Sequence, residues 1–349
     1  MNPNQPRAPL HLLSCAAALP LAESIAKHLH VPLTRSREAW FACGEGKLEI
    51  AENIRGSDLY IVQAPVAPSD PRSLYDRTMM LLHAIEAAAL ADAQYITVVT
   101  PYFPCARQDK RKGRAREGIS AGLLARCMQA AGARRVVALE IHNEAIGGMF
   151  DPAVCRLENV SLHQELSPWL VQEGLAGAWS GEPSRPPVVA APDVGGLERA
   201  RHYAENLGHS LAVISKVRDY GTENRVLRST LIGDVAGRDV LLVDDIVDTA
   251  GSVVAACAEL KEGGARDITV TCAHPVLSDP AWERLQTLAD RARSEGWRFR
   301  LVGTTAVHHE NPPDFYRSFD IAPLLARVIE SVNHRGSITS AERPVKPPC

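Results

Sequence analysis

Short runs of apolar residues alternate along the chain with longer stretches whose apolar residues recur at helical spacing. The apolar runs at 58–65, 94–101 and 238–245 end at proline or at acidic residues, which is typical of buried β-strands. The stretches at 72–93 and 120–133 are rich in alanine and leucine and have helical periodicity. This alternation of strand and helix predicts an α/β fold with mainly parallel sheets.

A short sequence repeat suggests that the α/β unit is duplicated. Gly132 and Gly264 each open a Gly-Ala-Arg segment that follows a predicted helix, and each is followed by a strand that runs to a histidine. The two copies lie about one domain length apart, so we interpret the chain as two similar domains. A chance match is the alternative, because glycine commonly ends a helix before a strand.

The domain limits follow from composition and spacing. We place the first domain at 10–155 and the second at 156–325, followed by a C-terminal helix at 326–340 that packs on the first domain. The segments 1–9 and 341–349 are rich in proline and polar residues, so we expect them to be mobile tails.

Composition excludes several classes of protein. The chain has 349 residues, of which 46% are hydrophobic and 23% charged, as in globular proteins of about two domains. The net charge of −3 does not fit a basic nucleic-acid-binding protein. No apolar run approaches the ~18 residues that a membrane span needs. We therefore expect neither nucleic acid nor membrane as a partner.

Two features bear on the cellular compartment. Residues 8–22 resemble the apolar core of a signal peptide, but His11 interrupts this core and Pro20 opens a helical stretch, so we favour a strand followed by a helix. The eight cysteines have no disulfide-framework or zinc-site spacing. Scattered cysteines are typical of a reducing compartment, and we expect a cytoplasmic protein.

The segment 240–252 carries the strongest chemical signal. A hydrophobic strand delivers Asp244 and Asp245 at its carboxyl end, and a short turn with Thr249 and Gly251 then opens a helix. Backbone N–H groups, hydroxyls and a helix N-terminus form an anion site there, and the paired acids suit the hydroxyls of a sugar phosphate. The alternative is that these polar residues only cap the helix.

This turn resembles the phosphoribosyl-pyrophosphate loop of phosphoribosyltransferases and ribose-phosphate pyrophosphokinases. Further motifs are similar to those of the second family alone, in order and at near-family spacing: Pro101–Lys110, Phe41–Glu45, Leu139–His142, Ala191–Gly196 and Thr271–Ser278. The resemblance covers about residues 10–340.

The resemblance implies two phosphoribosyltransferase-like domains, the first binding nucleotide and the second ribose phosphate. It implies a Mg²⁺-dependent ribose-phosphate diphosphokinase, which transfers the diphosphoryl group of ATP to the 1-hydroxyl of ribose 5-phosphate and releases AMP. It further implies a homo-oligomer, either a dimer or a hexamer. The active site would lie between the domains, with Phe41 and Glu45 donated by a neighbouring subunit.

The resemblance also assigns roles to individual residues. It implies catalytic Lys216 and Arg218; ATP-binding Phe41, Glu45, Arg107, Gln108 and Asp109; ribose-phosphate-binding Asp244, Asp245, Asp248, Thr249, Ala250, Gly251 and Ser252; and metal-binding His142 and Asp193.

Other interpretations of the same residues stay open. By itself His142 reads as a structural histidine, Phe41 as a core aromatic, and the polar segment 216–229 as a solvated loop. Cys43 stands where the family has Asp or Asn, and a thiol hydrogen-bonds adenine only weakly. The rival functions are a non-catalytic relative that regulates an active synthetase and a phosphoribosyltransferase that acts on a base.

Overall fold

A computed structural model describes residues 5–111, 113–176, 186–218 and 226–343, with the backbone alone for 216–218 and 226–229. These residues form two compact units. The first unit contains residues 5–161, Thr305–Glu310 and 320–343, and the second contains the described residues of Leu162–Thr304 together with Asn311–Phe319.

The first unit is built on a five-stranded parallel sheet in the order β1-β4-β5-β6-β7. Its strands are β1 Leu10–Ser14, β4 Asp58–Val62, β5 Tyr95–Val99, β6 Arg135–Leu139 and β7 Arg156–Val160. An antiparallel hairpin of β2 Ser36–Trp40 and β3 Gly46–Ile50 forms a separate two-stranded sheet. Strand β4, which lies between β1 and β5, is buried along its whole length, as expected for a parallel sheet covered on both faces.

The second unit is built on a seven-stranded sheet in the order β10-β9-β8-β11-β12-β13-β14. All neighbouring strands are parallel except β9 and β10, which are antiparallel. The strands are β8 Val188–Ala191, β9 Ser210–Arg218, β10 Val226–Ile232, β11 Val240–Val247, β12 Ile268–Pro275, β13 Phe299–Thr304 and β14 Tyr316–Phe319.

Helices connect the strands of both sheets. They are α1 Leu19–Leu29, α2 Leu74–Leu90, α3 Ser120–Ala131, α4 His163–Gln172, α5 Leu197–Leu207, α6 Gly251–Glu262, α7 Ala281–Ser294, α8 Ala322–Asn333 and α9 Ile338–Ala341. Local sequence fixes their ends: Ser73 and Asp76 form a reciprocal capping box at the start of α2. Among the described residues, none of the helices combines the length and the apolar composition that a bilayer crossing needs.

The two units share the order of their elements, although β9 and β10 extend the second sheet while β2 and β3 form a separate sheet. In each, the first strand is followed by a helix, then by an antiparallel pair of strands, and then by four more parallel strands added in sequence order. The pair β2–β3 in the first unit thus corresponds to β9–β10 in the second. The prediction of two similar α/β domains is confirmed.

The unit boundary differs from the predicted one. The first unit continues to Ser161, because β7 pairs with β6 and completes the first sheet. The helix expected at 326–340 begins earlier, at Ala322, and ends at Asn333 as α8, which packs against α1.

A buried polar cluster joins both ends of the first unit. The Arg7 guanidinium donates twice to the carboxylate of Asp58, from Nε at 2.8 Å and from Nη2 at 2.6 Å. The Tyr60 hydroxyl and the Asn333 amide donate to the same carboxylate at 2.8 and 2.9 Å. The Arg7 backbone N–H donates to the Asn333 carbonyl at 2.8 Å.

Two expectations about polar segments need correction. Residues 7–9 and 341–342 were expected in mobile tails, but Arg7 is held by Asp58, and the Glu342 carboxylate accepts from the Ser161 N–H at 3.1 Å. Residues 1–4 and 344–349 lie outside the described residues. The prediction of a loop over 216–229 is wrong at both ends of that segment. Residues 216–218 belong to β9 and residues 226–229 belong to β10, and these two strands pair with each other.

Candidate functional site

Three predicted acids lie towards the carboxyl edge of the second sheet. Strands β8 and β11 are parallel neighbours in which Ala190 pairs with Leu242. Asp244 and Asp245 follow Leu242 by two and three positions, and Asp193 follows Ala190 by three. Asp244 and Asp245 lie on the part of β11 that extends past its pairing with β8, and Asp193 follows the end of β8. The ribose-phosphate acids and one predicted metal ligand therefore lie towards the same edge of the sheet, where ligands bind in open α/β sheets.

Asp244 and Asp245 are adjacent acids that interact with each other. The Asp245 N–H donates to Asp244 Oδ1 at 2.9 Å. Burial raises the pKa of the Asp244 carboxyl well above its ordinary value, and the neighbouring Asp245 carboxylate raises it further. The oxygens of the two side chains are acceptors for the hydroxyl groups of a ribose.

Arg199 also belongs to this site, although sequence reasoning missed it. Its Nη2 lies 3.8 Å from Asp245 Oδ2, and both side chains are mostly buried. Arg201, two positions later on α5, is half exposed and pairs within the helix with Glu198 and Glu205. Only the position of α5 against the sheet distinguishes the two arginines.

The turn from β11 into α6 carries the rest of the predicted ribose-phosphate residues. The N-cap is Ala250, with φ 60° and no hydrogen bond from its side chain to the helix. The residue at the N-cap position itself therefore does not cap the helix through its side chain. Thr249, Gly251 and Ser252 are exposed, while Asp248 is half-buried. The helix N-terminus is arranged to hold an anion.

Asp193 is held by its own turn. Its Oδ1 accepts from the Gly196 N–H at 3.1 Å, which orients the carboxylate at the end of β8. The side chain remains partly exposed to solvent.

The predicted catalytic cations lie on the neighbouring strand. Strand β9 is parallel to β8, with Val213 opposite Ala191, so the backbone of Lys216 continues to the same edge as Asp193. Arg218 ends the strand, where it pairs with Val226 of β10. The side chains of Lys216 and Arg218 lie outside the described residues.

In the first unit, Phe41 and Glu45 form the turn between β2 and β3. The Phe41 N–H donates to the Glu45 carbonyl at 2.8 Å, and the Gly44 N–H donates back to the Phe41 carbonyl at 2.9 Å. The Phe41 ring is 53% exposed, with Lys47 Nζ 6.0 Å from its centroid. Phe41 is therefore not a core aromatic, and its face is accessible for stacking.

The other predicted nucleotide residues follow β5 in the same unit. Arg107 and Gln108 are exposed, and Gln108 accepts a hydrogen bond from Ser120. Asp109 accepts from the amide of Asn143. This contact joins the loop after β5 to the loop after β6, in which His142 is exposed. Arg107, Gln108, Asp109 and His142 thus lie at one edge of the first sheet.

The donors suit Mg²⁺ better than a metal that needs a preformed cage. Within the described ranges, no three His, Cys, Asp or Glu side chains are gathered to hold an ion. Mg²⁺ prefers oxygen ligands, and sites for it use one or two carboxylates together with substrate phosphates and water. The carboxylates of Asp193, Asp244 and Asp245 are donors of this type. His142 lies in the other unit.

Family models match both units. The model for the N-terminal domain of ribose phosphate pyrophosphokinase matches residues 10–132. The model for the phosphoribosyl transferase domain matches residues 172–301. These ranges include every predicted site residue except His142.

Whole-chain comparisons agree. Ribose-phosphate pyrophosphokinase of Halalkalibacterium halodurans is 35% identical over 319 residues, covering 91% of this chain and 93% of the relative. The protein of the same name from Wolinella succinogenes is 35% identical, covering 90% and 93%. The crystal structure of phosphoribosylpyrophosphate synthetase from Mycobacterium smegmatis matches with a TM-score of 0.79 and 32% identity, covering 94% of this chain and all of that one. The chain belongs to the ribose-phosphate pyrophosphokinase family.

Proposed function

We propose that this chain is a ribose-phosphate diphosphokinase, which transfers the β,γ-diphosphoryl group of ATP to the 1-hydroxyl of ribose 5-phosphate. The products are 5-phosphoribosyl 1-diphosphate and AMP. The observation that carries this proposal is the carboxyl edge of the second sheet, where Asp244 and Asp245 precede the turn that opens α6 at the N-cap residue Ala250. Acids for the ribose hydroxyls and N–H groups for the 5-phosphate stand next to each other there.

The bond changes follow from the substrates. The 1-hydroxyl oxygen attacks the β-phosphorus in line, the bond from that phosphorus to the α,β-bridging oxygen breaks, and AMP departs with the bridging oxygen while the hydroxyl loses its proton. Protein groups contribute by positioning the substrates and by stabilising negative charge. We assign Lys216 and Arg218 to the charge that develops on the transferred group.

ATP recognition is assigned to the first unit. The exposed Phe41 ring supports stacking on adenine, and Glu45 lies in the same turn. Arg107 offers a guanidinium for the phosphates, beside Gln108 and Asp109. Cys43 is exposed in the Phe41 turn, and its thiol makes a weaker partner for adenine than a carboxylate or amide.

Mg²⁺ is the cofactor that the carboxylates suit. When bound with ATP it would neutralise charge on the polyphosphate. We propose that Asp193 is one ligand in the second unit and that His142 contributes in the first. Asp193 is already oriented by the Gly196 N–H, so its carboxylate needs little reorganisation to bind an ion.

We further propose a cytoplasmic homo-oligomer, either a dimer or a hexamer. The described cysteines are all free thiols, as in a reducing compartment. Exposed apolar side chains occur on α2, at Tyr75 and Met79, and on α3, at Leu123, which is the kind of surface that subunits cover. Light scattering of the purified chain tests this assembly, and a monomer at all concentrations would contradict it.

The function is tested by measuring AMP release from ATP and Mg²⁺ by chromatography, with and without ribose 5-phosphate. We expect sugar-dependent AMP that falls at least about a hundredfold in Lys216→Ala, since a cation that stabilises the transition state is lost. The exposed Lys27→Ala is the control and should retain full activity.

The rival functions predict different results. A regulatory relative would release no AMP although folded. A phosphoribosyltransferase would consume 5-phosphoribosyl 1-diphosphate and a base without any need for ATP. Either result would overturn the proposal.

A further inference from the structure

Arg284 contacts the phosphate loop from a separate helix. It lies in the first turn of α7, and its Nη1 donates to the carbonyl of Thr249 at 2.9 Å. The same nitrogen lies 3.5 Å from the place that a Cβ on Gly251 would occupy. The guanidinium is therefore packed directly against the turn that leads into α6.

The contact controls the orientation of one peptide plane. The bond between Thr249 and Ala250 is a trans peptide, so its carbonyl and its N–H point in opposite directions. With the carbonyl directed at Arg284, the Ala250 N–H is held pointing away from α7. Arg284 thereby sets the direction of a donor at the helix N-terminus without occupying that side of the loop itself.

The backbone conformation of the loop at Ala250 requires stabilising contacts. Ala250 adopts φ 60°, a left-handed conformation that costs a non-glycine residue about 1 kcal/mol or more. The side chain of Ala250 is a methyl group and makes no hydrogen bond to α6, so contacts from neighbouring groups contribute to holding this conformation. A charged donor on the Thr249 carbonyl is one of the stronger hydrogen bonds available for this purpose.

We propose that Arg284 is a positioning residue for the 5-phosphate of the sugar substrate, acting through the Thr249 carbonyl. The inference rests on the proposed function, because it takes the anion at this loop to be ribose 5-phosphate. Arg284 orients the N–H groups of the loop before the phosphate binds, so sugar binding does not require a further loss of conformational entropy in the loop.

The test is calorimetric binding of ribose 5-phosphate to the full chain, together with steady-state kinetics. In Arg284→Met we expect the Kd and the KM for ribose 5-phosphate to rise about tenfold or more, as for loss of a hydrogen bond from a charged group. The KM for ATP, kcat and Tm should change by less than about twofold, or a few degrees for Tm. Arg284→Lys retains a charged donor and should recover part of the affinity.

Arg291→Met is the matched control. Arg291 lies on the same helix, is exposed, and pairs with Glu295 at 2.7 Å, away from the loop. Its substitution should leave the KM for ribose 5-phosphate unchanged. A second measurement compares wild type and Arg284→Met at about 0.05 and 0.5 M salt. If Arg284 acts by orienting the peptide plane, the ratio of the two Kd values is the same at both salt concentrations. If Arg284 attracts the phosphate directly, the ratio falls at high salt, because salt screens the attraction.

Three results would overturn the inference: an unchanged Kd in Arg284→Met, an affinity ratio that disappears at high salt, or parallel losses for both substrates together with Tm. Each is distinct from failure of the proposed function. That failure would appear in the wild type, as absence of ribose 5-phosphate binding or of sugar-dependent AMP.

Discussion

The Arg7–Asp58 pair makes a quantitative prediction about the stability of the first unit. The Asp58 side chain is fully buried and Arg7 is 11% exposed, so both charges depend on each other. Four donors converge on the Asp58 carboxylate, two of them from Arg7. Asp58→Asn preserves the shape of this side chain but leaves the guanidinium buried without its counter-charge. Removal of one partner of such a pair costs about 3–5 kcal/mol.

That loss is large enough to measure by calorimetry. For a unit of roughly 200 residues, each kcal/mol lowers Tm by about 2–4 °C, so Asp58→Asn should lower the transition by about 6–20 °C. Arg7→Met should cost a similar amount. The double variant should cost less than the sum of the single ones, because no unpaired charge remains buried.

The chain contains a matched control for this experiment. Arg55 and Asp92 form a pair in the same unit at 3.1 Å, but both side chains are 73% exposed. An exposed pair contributes about 0–1 kcal/mol, so Asp92→Asn should leave Tm nearly unchanged. Equal effects of Asp58→Asn and Asp92→Asn, or strictly additive effects of Arg7→Met and Asp58→Asn, would refute the reasoning.

Two further predictions concern the second unit. Asp244→Asn should stabilise the free protein, because the native state raises the pKa of this carboxyl and disfavours its ionised form. The gain in the free energy of unfolding should grow as the pH rises above about 4, by about 1.4 kcal/mol for each unit of pKa difference. The same substitution should weaken binding of the sugar. Urea denaturation at pH 4.5 and 8 measures the gain, and a loss of stability at both would contradict it. Gly251→Ala should leave Tm unchanged, because the added Cβ meets Arg284 only at 3.5 Å. It should still raise the KM for ribose 5-phosphate, since the methyl group obstructs close approach of the phosphate; an unchanged KM would exclude a backbone contact at this position.

The fold class was predictable because several of the parallel strands consist largely of apolar residues. β4 and β11 carry runs of Leu, Ile and Val that only a sheet covered on both faces requires. Strand β10 was missed for the opposite reason. It lies at the edge of the second sheet, bonded on one side alone, and its sequence includes Arg228, Ser229 and Thr230. An edge strand has less need of apolar residues, so its sequence resembles a loop.

The sequence repeat led to the right inference from elements that do not correspond. Gly132 ends α3, which precedes β6, the fourth strand of the first sheet. Gly264 follows α6, which precedes β12, the third of the five equivalent strands of the second sheet. In the shared order of elements, the residue equivalent to Gly264 is Asp92, which follows α2 and has φ 65°. The tripeptide match is therefore coincidental, although the duplication is real.

The candidate site was predictable where its chemistry is contiguous in sequence. Asp244 to Ser252 form one strand–turn–helix segment, so local pattern was sufficient. Arg199 and Arg284 reach the same segment from α5 and α7, at sites that only strand order and helix packing determine. Their neighbours Arg201 and Arg291 look equivalent in sequence, yet pair within their own helices. Long-range contacts of this kind have no local signature.

The contact between Arg7 and Asn333 has a consequence for synthesis of the chain. The second unit lies within the sequence of the first, so a ribosome delivers it complete while α8 is still to be translated. Until α8 emerges, the nascent first unit carries the Asp58 carboxylate without its Asn333 partner and α1 without the helix that covers it. The second unit can therefore fold first, although it is made second. Nascent chains truncated before Ala322 should hold a protease-resistant second unit beside a first unit that is still open to cleavage.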